Sequence, residues 1–426
     1  MDRESLKYVL RQAFELGPPD TRPRALQLPL NPRQILLLRG IRRSGKTSLF
    51  YHTMRQLEAQ GVAREQLIYL NLEDDRLYPI RAGELDLILQ SHAELFPQFQ
   101  RGPRYIFLDE IQAVDGWERY VRRIHDTEQA VIFITGSAPH LLSRQIAPVL
   151  RGRSITCQLL PLSFPEALQF RGIELEPYSK SSEAVVVNAL EDYLRWGGFP
   201  EILLAEESLR RKIITEYADL LYYRDLLDQF SIRNEPAMRL LLKHCLSQPA
   251  TLLSTHKLYH DFRSLGLRIS KNTIYDYVRC LQEAGLIYAV PLFSQSLRKQ
   301  EQNPKKLFLV DVGLMQAFTV HPDADRGRKL ENLVFLRKQS EPGELSYAAD
   351  GLEVDLVQLK EDGPVFTNVC WTLAAPETAR RETAGLTAAL KQYPKAALEL
   401  IAHELGPLAI PSPIHSKLDW KYLLEA

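Results

Sequence analysis

The sequence is poor in cysteine, carries no net charge and contains no long apolar run. Its four cysteines lie far apart without a Cys-x-x-Cys pair, which argues against a zinc ribbon or a disulfide framework. The 53 basic and 53 acidic residues cancel, so any nucleic-acid surface must be local. No apolar stretch approaches the roughly 20 residues of a membrane span, and the charged N-terminus lacks the apolar core of a signal peptide. We therefore expect a cytoplasmic protein with no membrane partner.

The composition is that of a globular protein with more than one domain. At 426 residues the chain exceeds the size at which one hydrophobic core keeps growing. A helix is expected over residues 4 to 16, ending at Gly17. Short apolar runs then alternate with stretches of helical pattern, which predicts an α/β fold with a mostly parallel sheet. The runs are Ile35 to Leu38, Leu67 to Leu70, Tyr105 to Leu108, Val131 to Ile134 and Ile155 to Leu159.

A glycine-rich segment directly follows the first apolar run. Residues Gly40 to Thr47 match G-x-x-x-x-G-K-S/T, the P-loop pattern in which backbone N–H groups and a helix N-terminus face a phosphate chain. Lys46 would reach the β- and γ-phosphates as a catalytic residue, and the Thr47 hydroxyl would ligate Mg²⁺. The segment predicts ATP binding by Gly40, Arg42, Arg43, Ser44, Gly45, Lys46, Thr47 and Ser48.

Two adjacent carboxylates end the third apolar run. Asp109 and Glu110 stand at the mouth of a predicted buried strand, where an acidic pair is costly unless a cation or hydrogen bonds compensate it. We expect Asp109 to hold Mg²⁺ together with Thr47, and Glu110 to polarise the attacking water. The pair therefore predicts ATP hydrolysis as well as binding.

Two further positions suit the chemistry of phosphoryl transfer. The fourth apolar run leads into Thr135-Gly136-Ser137, where either hydroxyl would sense the γ-phosphate, although Ser137 is equally suited to cap a helix. Arg151 and Arg153 follow, and an arginine from a neighbouring subunit commonly stabilises the charge of phosphoryl transfer. We favour Arg153, with a surface salt bridge as the alternative role. A catalytic Arg153 acting in trans implies a homo-oligomer.

These and other segments resemble prokaryotic AAA-type ATPases in which the ATPase module is followed by a domain of unknown function. The resemblance implies an AAA-like P-loop core with a helical lid, then a winged-helix segment and a C-terminal α+β domain similar to restriction endonucleases. The segments that carry it are RGIRRSGKTSL, FLDEIQ, FITGSAPHLL, LRGR, LLPLSFPEAL, YLRWGGFPE, YYRDLL, LVDVGL, ENLVF and LEVDLV.

The predicted domains follow the changes in pattern along the chain. An N-terminal helix (residues 1–20) precedes the P-loop ATPase core (21–163), a helical lid (164–235) with a polar loop at 178–183, a winged-helix-like segment (236–295) and the endonuclease-like domain (296–426). Within the winged-helix-like segment, the helical pattern between Ser270 and Gly285 suits a recognition helix.

Basic residues cluster around this recognition helix and in the stretch 297–306, which we expect to be flexible. Such a strip would hold the phosphates of double-stranded DNA, while a protein partner is the alternative, because winged helices also serve as protein-binding modules. The residues are Arg263, Arg268, Lys271, Arg279, Arg298, Lys299, Lys305 and Lys306.

The C-terminal domain departs from the chemistry of active nucleases of the fold it resembles. Those enzymes hold Mg²⁺ with an acidic residue, an Asp and a Glu-x-Lys set. Glu331, Glu353 and Asp355 would supply carboxylates, but Asn368 and Cys370 stand where Glu and Lys are wanted. Nothing in the sequence supports Lys360 as the replacement. We therefore expect a folded domain without nuclease activity.

The sequence thus predicts a Mg²⁺-dependent ATPase of the AAA type that acts as a switch or motor on DNA or a protein partner. Two alternatives remain, an ATP-dependent nuclease and a signalling scaffold that binds ATP tightly but turns it over slowly.

Overall fold

A computed structural model divides the chain into two units, Met1–Pro161 and Leu162–Ala426. The structure describes residues 1–99, 102–136, 149–150, 152–176, 179–319, 325–349, 351–407 and 409–425. Within these ranges no helix combines the length and apolar character needed to cross a bilayer. All four cysteines are free, and two of them, Cys245 and Cys370, are buried.

The described part of the first unit contains a five-stranded parallel sheet with strand order β2-β3-β4-β1-β5. Each predicted apolar run forms one strand, and the central strands are almost continuously buried, as expected where helices cover both faces of a parallel sheet. The strands are Ile35–Arg39 (β1), Leu67–Asn71 (β2), Arg104–Asp109 (β3), Ala130–Gly136 (β4) and Ser154–Gln158 (β5). The predicted α/β fold of this unit is confirmed.

Helices cover both faces of this sheet. Along β1, Leu36 and Leu38 pack with Phe50 of the second helix, while Ile35 and Leu37 face the core that contains Leu6 of the first. This alternation follows from the two-residue period of a strand. The helices are Arg3–Leu16 (α1), Lys46–Ala59 (α2), Asp86–Leu95 (α3) and Trp117–Thr127 (α4). The predicted N-terminal helix is therefore part of the core of this unit.

The second unit begins with helices. They are Phe164–Arg171 (α5), Lys180–Trp196 (α6), Pro200–Leu204 (α7) and Glu207–Leu220 (α8), followed by a π-helical turn over Leu221–Leu227. The predicted polar loop at 178–183 is wrong for residues 180–183, which begin α6 because Ser179 accepts a hydrogen bond from the Ser182 N–H at 3.3 Å and caps the helix. Tyr178 lies outside the described residues.

A small antiparallel sheet follows, with strand order β6-β8-β7. Its elements are Glu235–Ser247 (α9), Thr251–Leu253 (β6), Thr255–Ser264 (α10), Lys271–Glu283 (α11), Ile287–Val290 (β7), Leu297–Gln302 (α12) and Lys305–Leu309 (β8). The stretch 297–306, predicted to be flexible, is instead a helix followed by a strand, because Ser296 caps α12 and β8 pairs with both neighbours. The predicted boundary at 295/296 therefore separates two paired strands.

The C-terminal part carries a second five-stranded sheet in its described residues, with order β13-β12-β11-β10-β9. Strands β9, β10 and β11 form an antiparallel meander, and β12 pairs parallel with β11. The elements are Met315–Phe318 (α13), Arg326–Gln339 (α14), Glu344–Ala348 (β9), Val354–Lys360 (β10), Gly363–Thr372 (β11), Pro376–Gln392 (α15), Ala397–Glu404 (β12), His415–Leu418 (β13) and Asp419–Leu424 (α16).

A buried carboxylate joins the turn after α6 to the segment after β8. Asp311 accepts hydrogen bonds from the backbone N–H of Gly198 at 2.6 Å and of Gly313 at 2.8 Å. Gly197 has φ 75° and ψ −162°, a conformation open essentially to glycine alone. A Cβ at Gly197 would also overlap the Asp311 carboxylate. The segments WGGFP and LVDVGL therefore form one structural contact.

We predict that Gly197→Ala lowers the free energy of unfolding by roughly 3 kcal/mol or more, because strain and overlap with Asp311 add. The matched control is Gly172→Ala at the end of α5. Gly172 also has positive φ, but nothing lies within 4 Å of a Cβ placed there, so we expect a loss of only about 1 kcal/mol. Urea unfolding followed by circular dichroism measures both. Equal losses would contradict the role of Asp311.

Candidate functional site

The loop between β1 and α2 is folded tightly around its glycines. Gly45 has φ 97°, and Arg43, a non-glycine residue, has φ 65°, so the loop turns through conformations that most residues avoid. At Gly40 a side chain is excluded for another reason, because a Cβ there would overlap the carbonyl oxygen of Leu159. The loop ends where α2 begins at Lys46, whose first-turn N–H groups have no partners within the helix.

The Lys46 side chain lies across this loop. Its ammonium donates to the carbonyl oxygens of Gly40 at 3.0 Å and Ile41 at 3.3 Å, and the residue is 5 % exposed. The charge is thereby held on the concave side of the loop. A loop of N–H groups closed by one ammonium is suited to bind the phosphates of a nucleotide.

Asp109, at the end of β3, is the centre of the site. Its Oδ2 accepts hydrogen bonds from the hydroxyl groups of Thr47 at 2.6 Å and Tyr69 at 3.1 Å, and its Oδ1 accepts one from Thr135 at 3.0 Å. These donors come from α2, β2 and β4. The strand order brings them together, since β3 lies between β2 and β4 and the carboxyl ends of parallel strands meet at one edge.

Burial decides the electrostatics of Asp109. The residue is 1 % exposed, and burial raises the pKa of its carboxyl group above the usual range, an effect that the Thr47 hydrogen bond opposes and the charge of Glu110 adds to. The Thr47 hydroxyl and the Asp109 carboxylate are hard oxygen donors at hydrogen-bond distance, which fits the ligand preference of Mg²⁺. The structure thus brings Thr47 and Asp109, the two residues predicted to hold Mg²⁺, within 2.6 Å of each other.

Glu110 leaves the strand in a strained conformation. Its φ of 51° lies in the left-handed region that non-glycine residues rarely occupy. The Glu110 Oε2 accepts a hydrogen bond from the Gln112 side-chain amide at 2.6 Å. Gln112 thus orients the carboxylate that the sequence predicts to act on water. Gln112 was not among the predicted site residues, although it lies within the segment FLDEIQ.

Arg24 and Tyr69 belong to the site but were missed by the sequence analysis. Arg24 is buried beneath the glycine-rich loop, where it donates to the carbonyl oxygens of Ser44 at 2.8 Å and Leu160 at 2.9 Å. No motif marks either residue. Arg24 precedes β1 by eleven positions in an irregular segment, and Tyr69 reads as one more apolar position of β2. Only folding brings Arg24 to the glycine-rich loop and Tyr69 to Asp109.

Arg153 lies away from this cluster. Its carbonyl oxygen accepts a hydrogen bond from the N–H of Ile35 at 2.7 Å, at the amino end of β1, whereas the glycine-rich loop follows the carboxyl end of that strand. The Arg153 guanidinium pairs with Asp126 at 2.8 Å. Ser137 and Arg151 lie outside the described residues, so the structure places only Thr135 of the two candidate sensor hydroxyls.

In the second unit, one predicted DNA-binding residue is buried. Lys306 lies 2.6 Å from Glu331 Oε1 and 2.9 Å from Asp355 Oδ1, so its assignment to a basic strip is wrong. Burial lowers the pKa of Lys306, but the two carboxylates outweigh burial and raise it. Lys360 pairs with Glu341 at 2.6 Å on the surface.

Comparison with known proteins agrees with the P-loop geometry. A family model described as an AAA domain matches residues 32–168. A second model, described as a domain of unknown function (DUF8612), matches residues 187–325. The five-stranded parallel sheet, the glycine-rich loop and the first match define the class: the N-terminal unit is an AAA-type P-loop domain.

Sequence relatives define the family. The uncharacterized protein MJ1544 of Methanocaldococcus jannaschii is 34 % identical over 315 residues, which cover 74 % of this chain and 68 % of that protein. The chain therefore belongs to the family of AAA-domain proteins that includes this archaeal protein. An uncharacterized protein of Haemophilus influenzae is 27 % identical over 341 residues, 80 % of this chain and 83 % of the relative.

Among solved structures, the Walker-type ATPase PABY2304 of Pyrococcus abyssi is similar to this chain at 16 % sequence identity. The alignment covers 74 % of this chain and 95 % of that protein, with a TM-score of 0.44.

We predict that Arg24→Ala weakens ATP binding roughly tenfold, because hydrogen bonds from a charged group that hold the glycine-rich loop are lost. The matched control is Arg22→Ala, since Arg22 is exposed and only two positions away. Isothermal titration with a non-hydrolysable ATP analogue measures both dissociation constants. If the two variants bind alike, Arg24 does not position the loop.

Proposed function

We propose that this protein is a Mg²⁺-dependent ATPase of the AAA type that acts as a switch or motor. The observation that carries the proposal is the 2.6 Å hydrogen bond between Thr47 and Asp109. These residues belong to two motifs 62 positions apart, and both were predicted from the sequence to hold the same ion. Their convergence beside Lys46 supports a nucleotide site rather than a glycine-rich turn without function.

Each side chain has a separate part in the proposed reaction. Thr47 and Asp109 would hold Mg²⁺, which when bound with ATP neutralises charge on the phosphates. Lys46, now bonded to loop carbonyl oxygens, would turn to the β- and γ-phosphates. Glu110 would accept the proton of the attacking water. Thr135, bonded to Asp109 Oδ1, supports the sensor role at this strand end.

The second unit supports coupling to DNA. The order α9, β6, α10, α11, β7, α12, β8, with β8 paired between β6 and β7, agrees with a winged helix that carries α12 between its last two strands, and α11 would be its recognition helix. Ser270 caps α11, and Lys271 at its start is exposed. The basic strip is smaller than predicted, because Lys306 is buried and Arg279 pairs with Asp276 at 3.0 Å.

The C-terminal part supports an endonuclease-like domain without nuclease activity. The succession α14, β9, β10, β11, α15, β12 places Glu331 on the first helix, Asp355 on the second strand and Asn368 on the third. This is the order of the acidic residues in the fold that the sequence resembles. The Glu-x-Lys set is absent at Asn368 and Cys370, so we favour a binding or assembly module over an ATP-dependent nuclease.

Steady-state ATP hydrolysis tests the proposal. We expect turnover by the wild type and a fall to background in both Lys46→Ala and Glu110→Gln, because one loses phosphate contacts and the other loses the base. Glu110→Gln should still bind ATP. The same assay with double-stranded DNA should show stimulation that is reduced in Lys271→Ala.

The matched control is Glu15→Gln, an equivalent change on the exposed surface of α1, which should hydrolyse ATP like the wild type. Unchanged turnover in Glu110→Gln would show that Glu110 is not the catalytic base. Tight ATP binding by the wild type without turnover, with or without DNA, would favour the signalling scaffold over the motor.

We also propose that Arg153 acts on the nucleotide of a neighbouring subunit. β1 has five residues, and at about 3.3 Å per residue it separates Arg153 from the loop of its own chain by roughly 16 Å. A guanidinium at the amino end of the sheet cannot reach the γ-phosphate bound at the other end. A catalytic role for Arg153 therefore requires a homo-oligomer.

Mixing two inactive variants tests this arrangement. Lys46→Ala keeps Arg153, and Arg153→Ala keeps an intact P-loop. A mixture should recover about a quarter of wild-type turnover, because random assembly pairs an intact loop with an intact arginine at one interface in four. Asp126→Ala is the control, since it removes the ion pair but leaves the arginine in place. A mixture as inactive as its components would contradict action in trans.

A further inference from the structure

A pocket of about 650 Å³ in the C-terminal part of the second unit is lined by charged side chains that the P-loop site does not use. Both signs of charge are present. The charged side chains of its lining include Lys306, Glu331 and Asp355. A concave, mostly preformed space with a few convergent polar groups is the usual form of a ligand site.

The ammonium of Lys306 lies at the convergence of three oxygen atoms. Glu331 Oε1 is 2.6 Å away, Asp355 Oδ1 is 2.9 Å away and the Asp355 carbonyl oxygen is 3.4 Å away. Lys306 is 9 % exposed and Glu331 7 %. The lysine comes from β8 of the small sheet, while the carboxylates come from α14 and β10. One cation is therefore shared by two carboxyl groups that come from two further elements.

The position of Asp355 is fixed by hydrogen bonds on its other side. Its Oδ2 accepts from the backbone N–H of Val369 at 3.0 Å, and its own N–H donates to the Asn368 side chain at 3.0 Å. Asn368 in turn donates to the carbonyl oxygen of Glu382 at 2.8 Å. Because Asn368 is neutral, it holds the Asp355 backbone in place without adding a further negative charge. The oxygen atoms that face Lys306 are thus pre-organised.

Two carboxylates aimed at one point form the kind of site that Mg²⁺ or Mn²⁺ occupies with water as the remaining ligand. A lysine ammonium is a compact point charge that meets the same electrostatic need. We propose that Lys306 takes the position of a divalent cation between Glu331 and Asp355. The pocket then carries its own cation, and the chain does not cleave phosphodiesters there by a metal-dependent mechanism.

Mn²⁺ binding to the full chain without nucleotide tests this proposal. Electron paramagnetic resonance measures the bound ion in the wild type, Lys306→Ala and the matched control Lys305→Ala. Lys305 is the next residue and pairs with Glu301 on the surface. We expect Lys306→Ala to gain one Mn²⁺ per chain relative to the wild type, and Lys305→Ala to gain none. Adding Glu331→Gln to Lys306→Ala should abolish the gain.

Lys306→Ala leaves two buried carboxylates without their cation and is therefore expected to be less stable. A second measurement, thermal unfolding, tests the proposal even if this variant folds poorly. Mn²⁺ should raise the thermal unfolding midpoint of Lys306→Ala, or restore its folding, by more than any effect that it has on the wild type or on the variant that also carries Glu331→Gln. The proposal is overturned if Lys306→Ala gains neither Mn²⁺ nor stability from Mn²⁺. It is equally overturned if the wild type binds Mn²⁺ in a manner that Glu331→Gln abolishes.

Discussion

The burial of Asp109 is the constraint on which the arrangement of the P-loop site depends. A carboxylate that is 1 % exposed is unfavourable unless hydrogen bonds and a cation compensate its lost hydration. Three hydroxyl groups, from Thr47, Tyr69 and Thr135, converge on it. Their convergence requires β2, β3 and β4 to be adjacent and α2 to begin beside the end of β3. The strand order and the position of the P-loop thus together supply the hydrogen bonds that stabilise the buried Asp109 carboxylate.

Three buried acidic groups among the described residues are compensated in different ways. At Asp109 the donors are neutral hydroxyl groups, which leave the negative charge available to a metal ion. Asp311 is held by two backbone N–H groups, and burial still raises its pKa to about 7. Glu331 and Asp355 share a lysine. Compensation from within the chain produces a structural contact, whereas incomplete compensation leaves a place for a ligand.

This distinction separates the two acidic sites of the chain. Each combines carboxylates on neighbouring elements, and the sequence presents both as candidates for a metal ion. At the first site the nearby lysine, Lys46, is bonded to carbonyl oxygens of its own loop, and Asp109 accepts its hydrogen bonds from neutral hydroxyl groups, which is the basis of the proposed Mg²⁺ site. At the second, Lys306 lies directly between the carboxylates. The two sites therefore differ in whether a lysine ammonium lies between the carboxylates, and this difference is the basis for proposing a metal ion at the first site and none at the second.

Local features could be predicted from the amino-acid sequence: the strands of the parallel sheet, the P-loop, the acidic pair after β3 and the capped helix α11. Each depends on residues within a few positions of one another, so side-chain periodicity and capping are sufficient to predict it. Tertiary structure alone decided the roles of Arg24, Tyr69 and Lys306. Their partners lie 20, 40 and 25 or more positions away, and no local pattern specifies which distant group a polar side chain meets. Lys306 looked like part of a basic surface because its charge is visible in the sequence, whereas its burial results from the packing of β8 against α14 and β10.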